Sequence, residues 1–228
     1  MPLRIIGTSH IAAQSIQEIK KAFAQEKPEL VAVELDLHRA SALFQDGKKG
    51  VSLTQAFTIG FKGYLFAKLG QIAQQKLGKM VGVSPGSEMK TALELAKEHR
   101  IGVAFIDQPL SITLRRFSKE LTWRERFRFV GDLLKGLFFP KKQLKELGLE
   151  GFNLQKVPEQ ELIHKMMKHL KERYPNVYRT LVEERNKYMV KKVVGLLRNH
   201  PDKKILVIVG AGHKEGMEEL LLKVDIMK

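Results

Sequence analysis

The sequence predicts an α/β fold, with a mostly parallel central sheet built from N- and C-terminal strands around a large helical insertion. Four short, continuous apolar runs are typical of parallel strands that are buried on both faces. Segments with helical periodicity separate them. The first and last runs also resemble each other, since each leads into a Gly-x-x-His sequence: Gly7-Thr8-Ser9-His10 and Gly210-Ala211-Gly212-His213.

The first elements predict a strand–helix–strand unit. Leu3 to Ile6 reads as a strand, and a helix follows over about 12–25 until Pro28 interrupts it. Leu30 to Leu35 is the second apolar run. Two strands joined through one helix are expected to be parallel, with a right-handed crossover.

The next part of the chain predicts helices and a third strand. A helix begins near His38 and ends before Gly47, and residues 51–80 have a helical pattern. Ser87 is the expected N-cap of a helix over 88–100, after a loop rich in glycine and proline. Ile101 to Asp107 is the third strand and ends in an acid.

The second half predicts helices and then the last strand. A basic helical stretch runs from Thr113 to about Leu147, and a linker-like segment follows from Gly148 to Pro158. Helices are expected over about 159–172 and 176–199. Ile205 to Val209 is the last strand, with a final helix over about 214–222. We expect one domain over residues 1–228, with the helical insertion at about 111–200.

Composition limits the classes of function. The 228 residues include no cysteine, which excludes a disulfide framework and a thiolate site. The net charge is +15, but the basic residues are dispersed among glutamates, so nucleic acid is not expected as a direct partner. Apolar stretches at 56–77 and 127–139 contain charges, which predicts amphipathic helices that pack on the domain. Contact with a membrane surface or a partner subunit is the alternative.

The strand ends predict a cluster of chemically active side chains at one edge of the sheet. Imidazole and carboxylate together are typical ligands of a divalent metal, and a free carboxylate can act as a base. Arg39 would bind a substrate carboxylate or orient Glu34. In the alternative interpretation, the carboxylates form a salt-bridge network with Arg39 and Arg185 and bind no metal. The clustered residues are His10, Glu34, Asp36, Asp107 and His213.

The second glycine-rich turn suggests a site for negative charge. Gly210-Ala211-Gly212 precedes a helix, so its backbone N–H groups would bind an anion or form an oxyanion hole. A serine hydrolase is not favoured, because the sequence has no G-x-S-x-G motif.

Six short motifs, in order along almost the whole chain, resemble the TraB/PrgY group of the TraB, PrgY and GumN superfamily. The sequence differs from the family's usual pattern at Gln108, because the family often has arginine at that position. The motifs are Gly7-Thr8-Ser9-His10; Val33-Glu34-Leu35-Asp36 with Arg39; Pro85-Gly86-Ser87-Glu88-Met89; Asp107 with Thr113-Leu114-Arg115-Arg116; Glu184-Arg185-Asn186-Lys187-Tyr188-Met189; and Val209-Gly210-Ala211-Gly212-His213.

The resemblance implies a cleft faced by two G-x-x-H motifs, similar to those of the TIKI metal-dependent peptidases. PrgY relatives limit the activity of a peptide pheromone, a function described as pheromone shutdown. His10, Glu34 and His213 match positions thought to carry metal and catalysis, with Mn, Co or Zn as the divalent ion. Other cleft positions of the family are matched by Arg39, Glu88, Asp107, Arg185, Asn186, Gly7, Gly210 and Gly212.

The sequence and the resemblance together predict a metal-dependent hydrolase, most plausibly a peptidase. The alternative is a non-catalytic module that binds or sequesters a peptide. A third hypothesis is that the basic helical middle binds anionic lipid or nucleic acid in a salt-sensitive way. We further expect a homodimer through the helical insertion. Many members of the resembled family carry hydrophobic C-terminal membrane segments, and this sequence has none up to Lys228. The expected location is therefore the cytoplasm, or the cytoplasmic face of a membrane if the chain is the soluble part of a longer protein.

Overall fold

The computed structural model describes residues 3–8, 13–44, 86–138 and 160–224. The predicted helix over 51–80, the linker at 148–158 and His10 lie outside these residues. The described part contains a four-stranded parallel sheet in the order β1-β4-β2-β3, flanked by helices, which confirms the predicted fold class. The strands are β1 (Leu3–Thr8), β2 (Leu30–Val33), β3 (Gly102–Phe105) and β4 (Ile205–Gly210).

The two ends of the chain are neighbours in the sheet. β1 pairs with β4 from Leu3 opposite Ile205 to Thr8 opposite Gly210. β2 pairs with the other side of β4 and with β3. Every residue of β4 is buried, as expected of a central strand covered on both faces. The two strands that lead into the Gly-x-x-His sequences are therefore neighbours in the sheet.

Helices account for most of the remaining described residues. The bounds are α1 (Ala13–Glu26), α2 (Leu37–Leu43), α3 (Ser87–Glu98), α4 (Leu110–Glu120), α5 (Trp123–Phe138), α6 (Gln160–Arg173), α7 (Pro175–Tyr178), α8 (Glu184–Asn199) and α9 (Ala211–Leu222). A π-helical segment, Arg179–Glu183, joins α7 directly to α8. No described helix has both the length and the hydropathy needed to cross a membrane.

Alternating strand residues build a core on each face of the sheet. Val31 and Val33 pack with α1 and α3, around Ile19 and Met89. Leu30 and Ala32 point the other way and pack with α8 and α9. This alternation follows from the two-residue period of a strand. Because both faces are covered, polar side chains of the strands are concentrated at their carboxyl ends.

Two polar links fix α5 beside the other helices. Thr122 and Glu125 form a reciprocal capping box, in which Glu125 Oε2 accepts from the Thr122 N–H at 3.1 Å. The same carboxylate accepts from the backbone N–H of Asn176 at 2.8 Å, which ties α5 to α7. Asp132 binds both Arg173 and Tyr174 at the end of α6. The helical stretch predicted from Thr113 to about Leu147 includes α4 and α5, which are separated by Leu121 and Thr122, and its last part, 139–147, lies outside the described residues.

Several predicted element boundaries were wrong. β1 continues through Gly7 and Thr8, because both residues pair with β4 rather than turn away from it. α9 begins at Ala211, since Gly210 has the extended conformation of an N-cap (φ −60°, ψ 144°). Gly212 and His213 thus belong to the first turn of a helix. Ser87 is the first residue of α3, and the cap is Gly86, whose φ of 84° favours glycine.

Candidate functional site

The candidate site lies at the carboxyl edge of the sheet. Glu34 directly follows β2, Asp107 lies two residues after β3, and His213 is in the first turn of α9 after β4. Parallel strands end on one edge, and the order of these strands places their ends side by side. The three side chains therefore converge as the sequence predicted.

Arg185, from the second residue of α8, is the common partner of these three side chains. Its Nε donates to Asp107 Oδ1 at 2.9 Å, and its Nη2 donates to Asp107 Oδ2 at 2.8 Å. Nη2 also donates to Glu34 Oε1. Nη1 lies 3.0 Å from His213 Nε2. One guanidinium thus holds two carboxylates and an imidazole through its planar set of N–H groups.

Burial makes this charge pairing strong. The Arg185 side chain is 15% exposed, and those of Glu34 and Asp107 are 2% exposed. Burial lowers the pKa of Arg185, but the negative charges and hydrogen bonds of Glu34 and Asp107 outweigh it and raise this pKa above its usual value. The guanidinium is therefore charged at neutral pH.

The partners of His213 specify its protonation. An arginine side chain only donates, so His213 Nε2 must accept from Arg185. The proton of the neutral ring is then on Nδ1, which lies 2.6 Å from Asn186 Oδ1. The amide oxygen of Asn186 therefore accepts from His213. Glu34 Oε1 also lies close to this nitrogen, 3.4 Å from Nε2.

Gly216 leaves the space that Asn186 occupies. A Cβ built on Gly216 would lie closer to Asn186 Nδ2 than 3.0 Å, a separation that real Cβ atoms essentially never show. Asn186 is only 4% exposed, so its amide has little room to move away. The missing side chain at position 216 thus allows Asn186 to reach His213.

The predicted glycines have packing roles. A Cβ on Gly7 would meet Ala211 Cα and the Lys214 side chain, all at 3.2 Å, so Gly7 allows β1 and α9 to approach closely. A Cβ on Gly212 would meet Met167 Sδ of α6 at 3.3 Å. The Gly210 N–H donates to Glu34 Oε2 at 2.5 Å. That amide, expected to bind an external anion, therefore binds the protein's own carboxylate.

Asp36 and Arg39 lie beside the cluster and contact helix ends and Asp107. Asp36 Oδ1 accepts from the Arg39 N–H at 2.9 Å and caps α2, while Oδ2 accepts from the Leu110 N–H at 3.1 Å at the start of α4. The Arg39 Nη1 donates to Asp107 Oδ2 at 2.8 Å. Arg39 therefore binds Asp107, and the salt-bridge network with Arg39 and Arg185 is present.

Glu88 and Gln108 are the remaining positions considered in the sequence; both are buried, and the Gln108 N–H donates to Asp107 Oδ1 at 2.8 Å. Glu88 is 1% exposed in the first turn of α3, where a carboxylate is favoured by the helix dipole. Gln108, at the position where the resembled family often has arginine, donates from Nε2 to Thr113 Oγ1 at 3.0 Å. Sequence reasoning missed Gly216 and the double cap by Asp36. An acid directly before α2 was the available signal for the cap.

The donor set for a metal is only partly within the described residues. Glu34 and His213 are adjacent and are of the types that divalent ions bind. Across the four described ranges, no group of three His, Asp or Glu side chains is arranged to hold an ion. The third predicted ligand, His10, lies outside them. Glu34 and His213 are therefore suitable ligand types for a divalent metal and would be two of the three expected ligands.

Sequence comparisons with known proteins cover most of the chain. A profile described as the TraB/PrgY/gumN family matches residues 2–224. An uncharacterized protein of Methanocaldococcus jannaschii is 34% identical over 97% of the chain and 53% of its own length. TraB domain-containing proteins of Mus musculus and Homo sapiens are 24% and 23% identical, over 94% of the chain and 61% of their own lengths. The chain thus spans between half and two thirds of these relatives.

Proposed function

Because the chain belongs to the TraB/PrgY/gumN family, we propose that it is a metal-dependent hydrolase that acts on a peptide. His10, Glu34 and His213 are its proposed metal-binding and catalytic residues. The observation that carries the proposal is the pairing of two buried bases at the sheet edge: Glu34 Oε1 lies 3.4 Å from His213 Nε2. The peptide as substrate comes from the resemblance to peptidases and pheromone-limiting relatives.

The surrounding side chains prepare this pair for acid–base chemistry. Asn186 keeps the proton of neutral His213 on Nδ1, so Nε2 carries no proton, accepts from Arg185 and lies beside Glu34. The Gly210 N–H fixes the second oxygen of Glu34. The residues are thus held in position before a substrate arrives, which lowers the cost of reaching a reactive geometry. Glu34 is the proposed base that takes a proton from the attacking water.

His10, His213 and Glu34 would hold the divalent ion, with Mn, Co and Zn as the candidates. Such an ion, when bound, supplies a Lewis acid and lowers the pKa of water. Arg185 shares both Glu34 and His213 as partners, so its charge competes with a cation for them. We therefore expect Arg185→Met to change metal affinity even though Arg185 is not a ligand.

A second candidate function is peptide binding without turnover. It is favoured by the Arg185 contacts, because a guanidinium already compensates the carboxylates of Glu34 and Asp107. A salt-bridge network of this kind is sufficient to stabilise the sheet edge without a metal. This candidate predicts peptide affinity that survives removal of metal.

Metal analysis tests the proposed ligands. The purified protein is incubated with Mn²⁺, Co²⁺ or Zn²⁺, dialysed, and analysed by mass spectrometry, together with His10→Ala, His213→Gln and His38→Ala. His38 is an exposed histidine of α2 and serves as the control. We expect wild type and His38→Ala to retain the metal and the other two variants to lose it. Equal metal content in all four proteins would refute the metal site.

A peptide-library digest, analysed by mass spectrometry, separates the two candidate functions. Hydrolysis predicts products that depend on added metal and disappear in Glu34→Gln, which conserves the volume of the buried side chain. Circular dichroism of the variant checks that it is folded. Peptide binding that persists in a chelator, with no products under any metal, would support the binding module and refute the hydrolase.

A further inference from the structure

β1 is the edge strand of the sheet, and its outer side borders a cavity. β4 pairs with one side of β1, and no strand among the described residues pairs with the other. The cavity, about 400 Å³ in volume, is lined by Arg4, Ile5, Ile6 and Gly7 of this strand. An unpaired strand edge presents backbone N–H and C=O groups that another extended chain can bind.

The cavity lies across the strand edge and not on one face of the sheet. Ile6 packs in the core beneath α1, whereas Ile5 packs in the opposite core beneath α8 and α9. A space that touches both residues must therefore include the backbone edge between them. Helices form its walls: Lys21 and Gln25 of α1 on one side, and Ala211 and Lys214 of α9 on the other.

The length and position of this groove suit an extended peptide. Four strand residues span about 13 Å, which corresponds to about four residues of an added strand. β1 ends at Thr8, which lies opposite Gly210, and the Gly210 N–H binds Glu34. A peptide that follows β1 is thereby led to the sheet edge that carries Glu34 and His213.

The charges of the walls indicate the side chains of such a peptide. Lys21 and Lys214 line the groove from α1 and α9, respectively. Arg4 at the groove forms an ion pair with Glu26 at 2.5 Å, and Glu215 lies 3.3 Å from His164. Three basic residues, Arg4, Lys21 and Lys214, and two acidic ones, Glu18 and Glu215, line the groove, so its lining has an excess of positive charge. Lys214 also lies 3.9 Å from Glu218, within α9. The net charge of +15 also favours an acidic ligand.

We propose that the outer edge of β1 binds an extended acidic peptide as an added strand, with an acidic side chain between Lys21 and Lys214. The choice of a peptide rests on the proposed function, but the binding itself requires neither metal nor hydrolysis. Backbone hydrogen bonds to the strand edge would provide affinity, and the helix walls would provide selectivity.

Backbone methylation tests the strand pairing directly. The probe is a fluorescein-labelled peptide of alternating valine and threonine with one central glutamate, and its binding is measured by anisotropy in a chelator. Two further probes carry N-methyl groups on the odd-numbered or the even-numbered amides. An added strand bonds through only one of its edges. We expect at least a tenfold loss of affinity for one methylated probe and little change for the other; equal behaviour would overturn the proposal.

Variants of α1 test the location of the peptide. Lys21→Trp places a bulky ring in the groove wall, and Lys20→Trp places the same ring at an exposed neighbouring position that does not line the groove. We expect the first to weaken probe binding at least tenfold and the second to leave it unchanged. Equal affinities for the two variants would overturn the location.

Hydrogen exchange of the β1 amides tests whether the edge is free. The proposal predicts rapid exchange of the outward amides in the protein alone and slower exchange when the probe is added. Protection already present without the probe would mean that another segment or a second copy occupies the edge, and would overturn the proposal. All of these binding and exchange measurements are made in a chelator. Their results therefore do not depend on whether the metal-binding or cleavage experiments of the proposed function succeed.

Discussion

Gly216→Ala should destabilise the protein, although alanine is normally the better residue in a helix. Position 216 is in the middle of α9. Replacing glycine by alanine inside a helix ordinarily increases the free energy of unfolding by up to about 1 kcal/mol. Here the new methyl group would overlap the buried amide of Asn186. The chain must then shift either Asn186 or α9, and each shift breaks the 2.6 Å contact between Asn186 and His213.

The expected magnitude follows from three contributions. Overpacking of a buried site costs about 1–3 kcal/mol. Loss of the Asn186–His213 hydrogen bond, with both groups still buried, costs about 1–3 kcal/mol. The gain in helix propensity offsets about 1 kcal/mol of this. We therefore expect the free energy of unfolding to fall by about 1–5 kcal/mol, with about 3 kcal/mol as the central value, as measured by urea denaturation followed by circular dichroism.

Gly195→Ala is the matched control for this prediction. Gly195 lies within α8, and a Cβ built there has no neighbouring atom within 4 Å. We expect the free energy of unfolding of this variant to rise by about 0.5–1 kcal/mol, since only helix propensity changes. Imidazole ¹⁵N shifts of His213, assigned with His213→Gln, should show one Nδ1–H tautomer in wild type and a mixture in Gly216→Ala. A Gly216→Ala protein as stable as Gly195→Ala, with an unchanged tautomer, would refute the reasoning.

Three further predictions concern polar groups and are tested by chemical denaturation. Arg185→Met leaves buried Glu34 without its cation and Asp107 with Arg39 alone, and should cost about 3–5 kcal/mol. Arg179→Met breaks a more exposed ion pair and should cost less than about 1 kcal/mol; equal losses would contradict the role of burial. Burial raises the pKa of Glu125, but hydrogen bonds from Asn176 and Thr122 lower it below the ordinary value of 4.5. The stability difference between wild type and Glu125→Gln should therefore be complete above about pH 5 and disappear as the pH falls through the lowered pKa; a constant difference would contradict this. Asp36→Ala removes caps from α2 and α4 and should cost about 2 kcal/mol, and a loss below about 0.5 kcal/mol would show that the caps contribute little.

The sequence was sufficient to predict the sheet and the convergence of its polar ends. Continuous apolar runs at Leu30 to Val33 and Ile205 to Val209 identify buried parallel strands, and parallel strands necessarily end together. Glu34, Asp107 and His213 could therefore be assigned to one edge. The capping box of Thr122 and Glu125 was not predicted, although a threonine followed three residues later by glutamate is its usual sequence signal.

The internal arrangement of the site could not be predicted in this way. Arg185 reaches the cluster from α8, and the direction of its side chain depends on how that helix packs across the sheet. Gly216 looks like an unfavourable residue in a helix until the position of Asn186 is known. The second bond of Asp36, to the Leu110 N–H, joins residues 74 positions apart. Such contacts depend on tertiary packing, on which local periodicity carries no information.

The pairing of β1 with β4 has a consequence for the order in which the protein is assembled during synthesis. The first strand emerges from the ribosome about 200 residues before its partner, since Leu3 lies opposite Ile205. Contacts this distant in sequence form late, because a long loop must be closed first. The Gly210 amide that holds Glu34 also belongs to this last strand. A nascent chain therefore acquires an ordered sheet edge, and any activity that depends on it, only after β4 has been made.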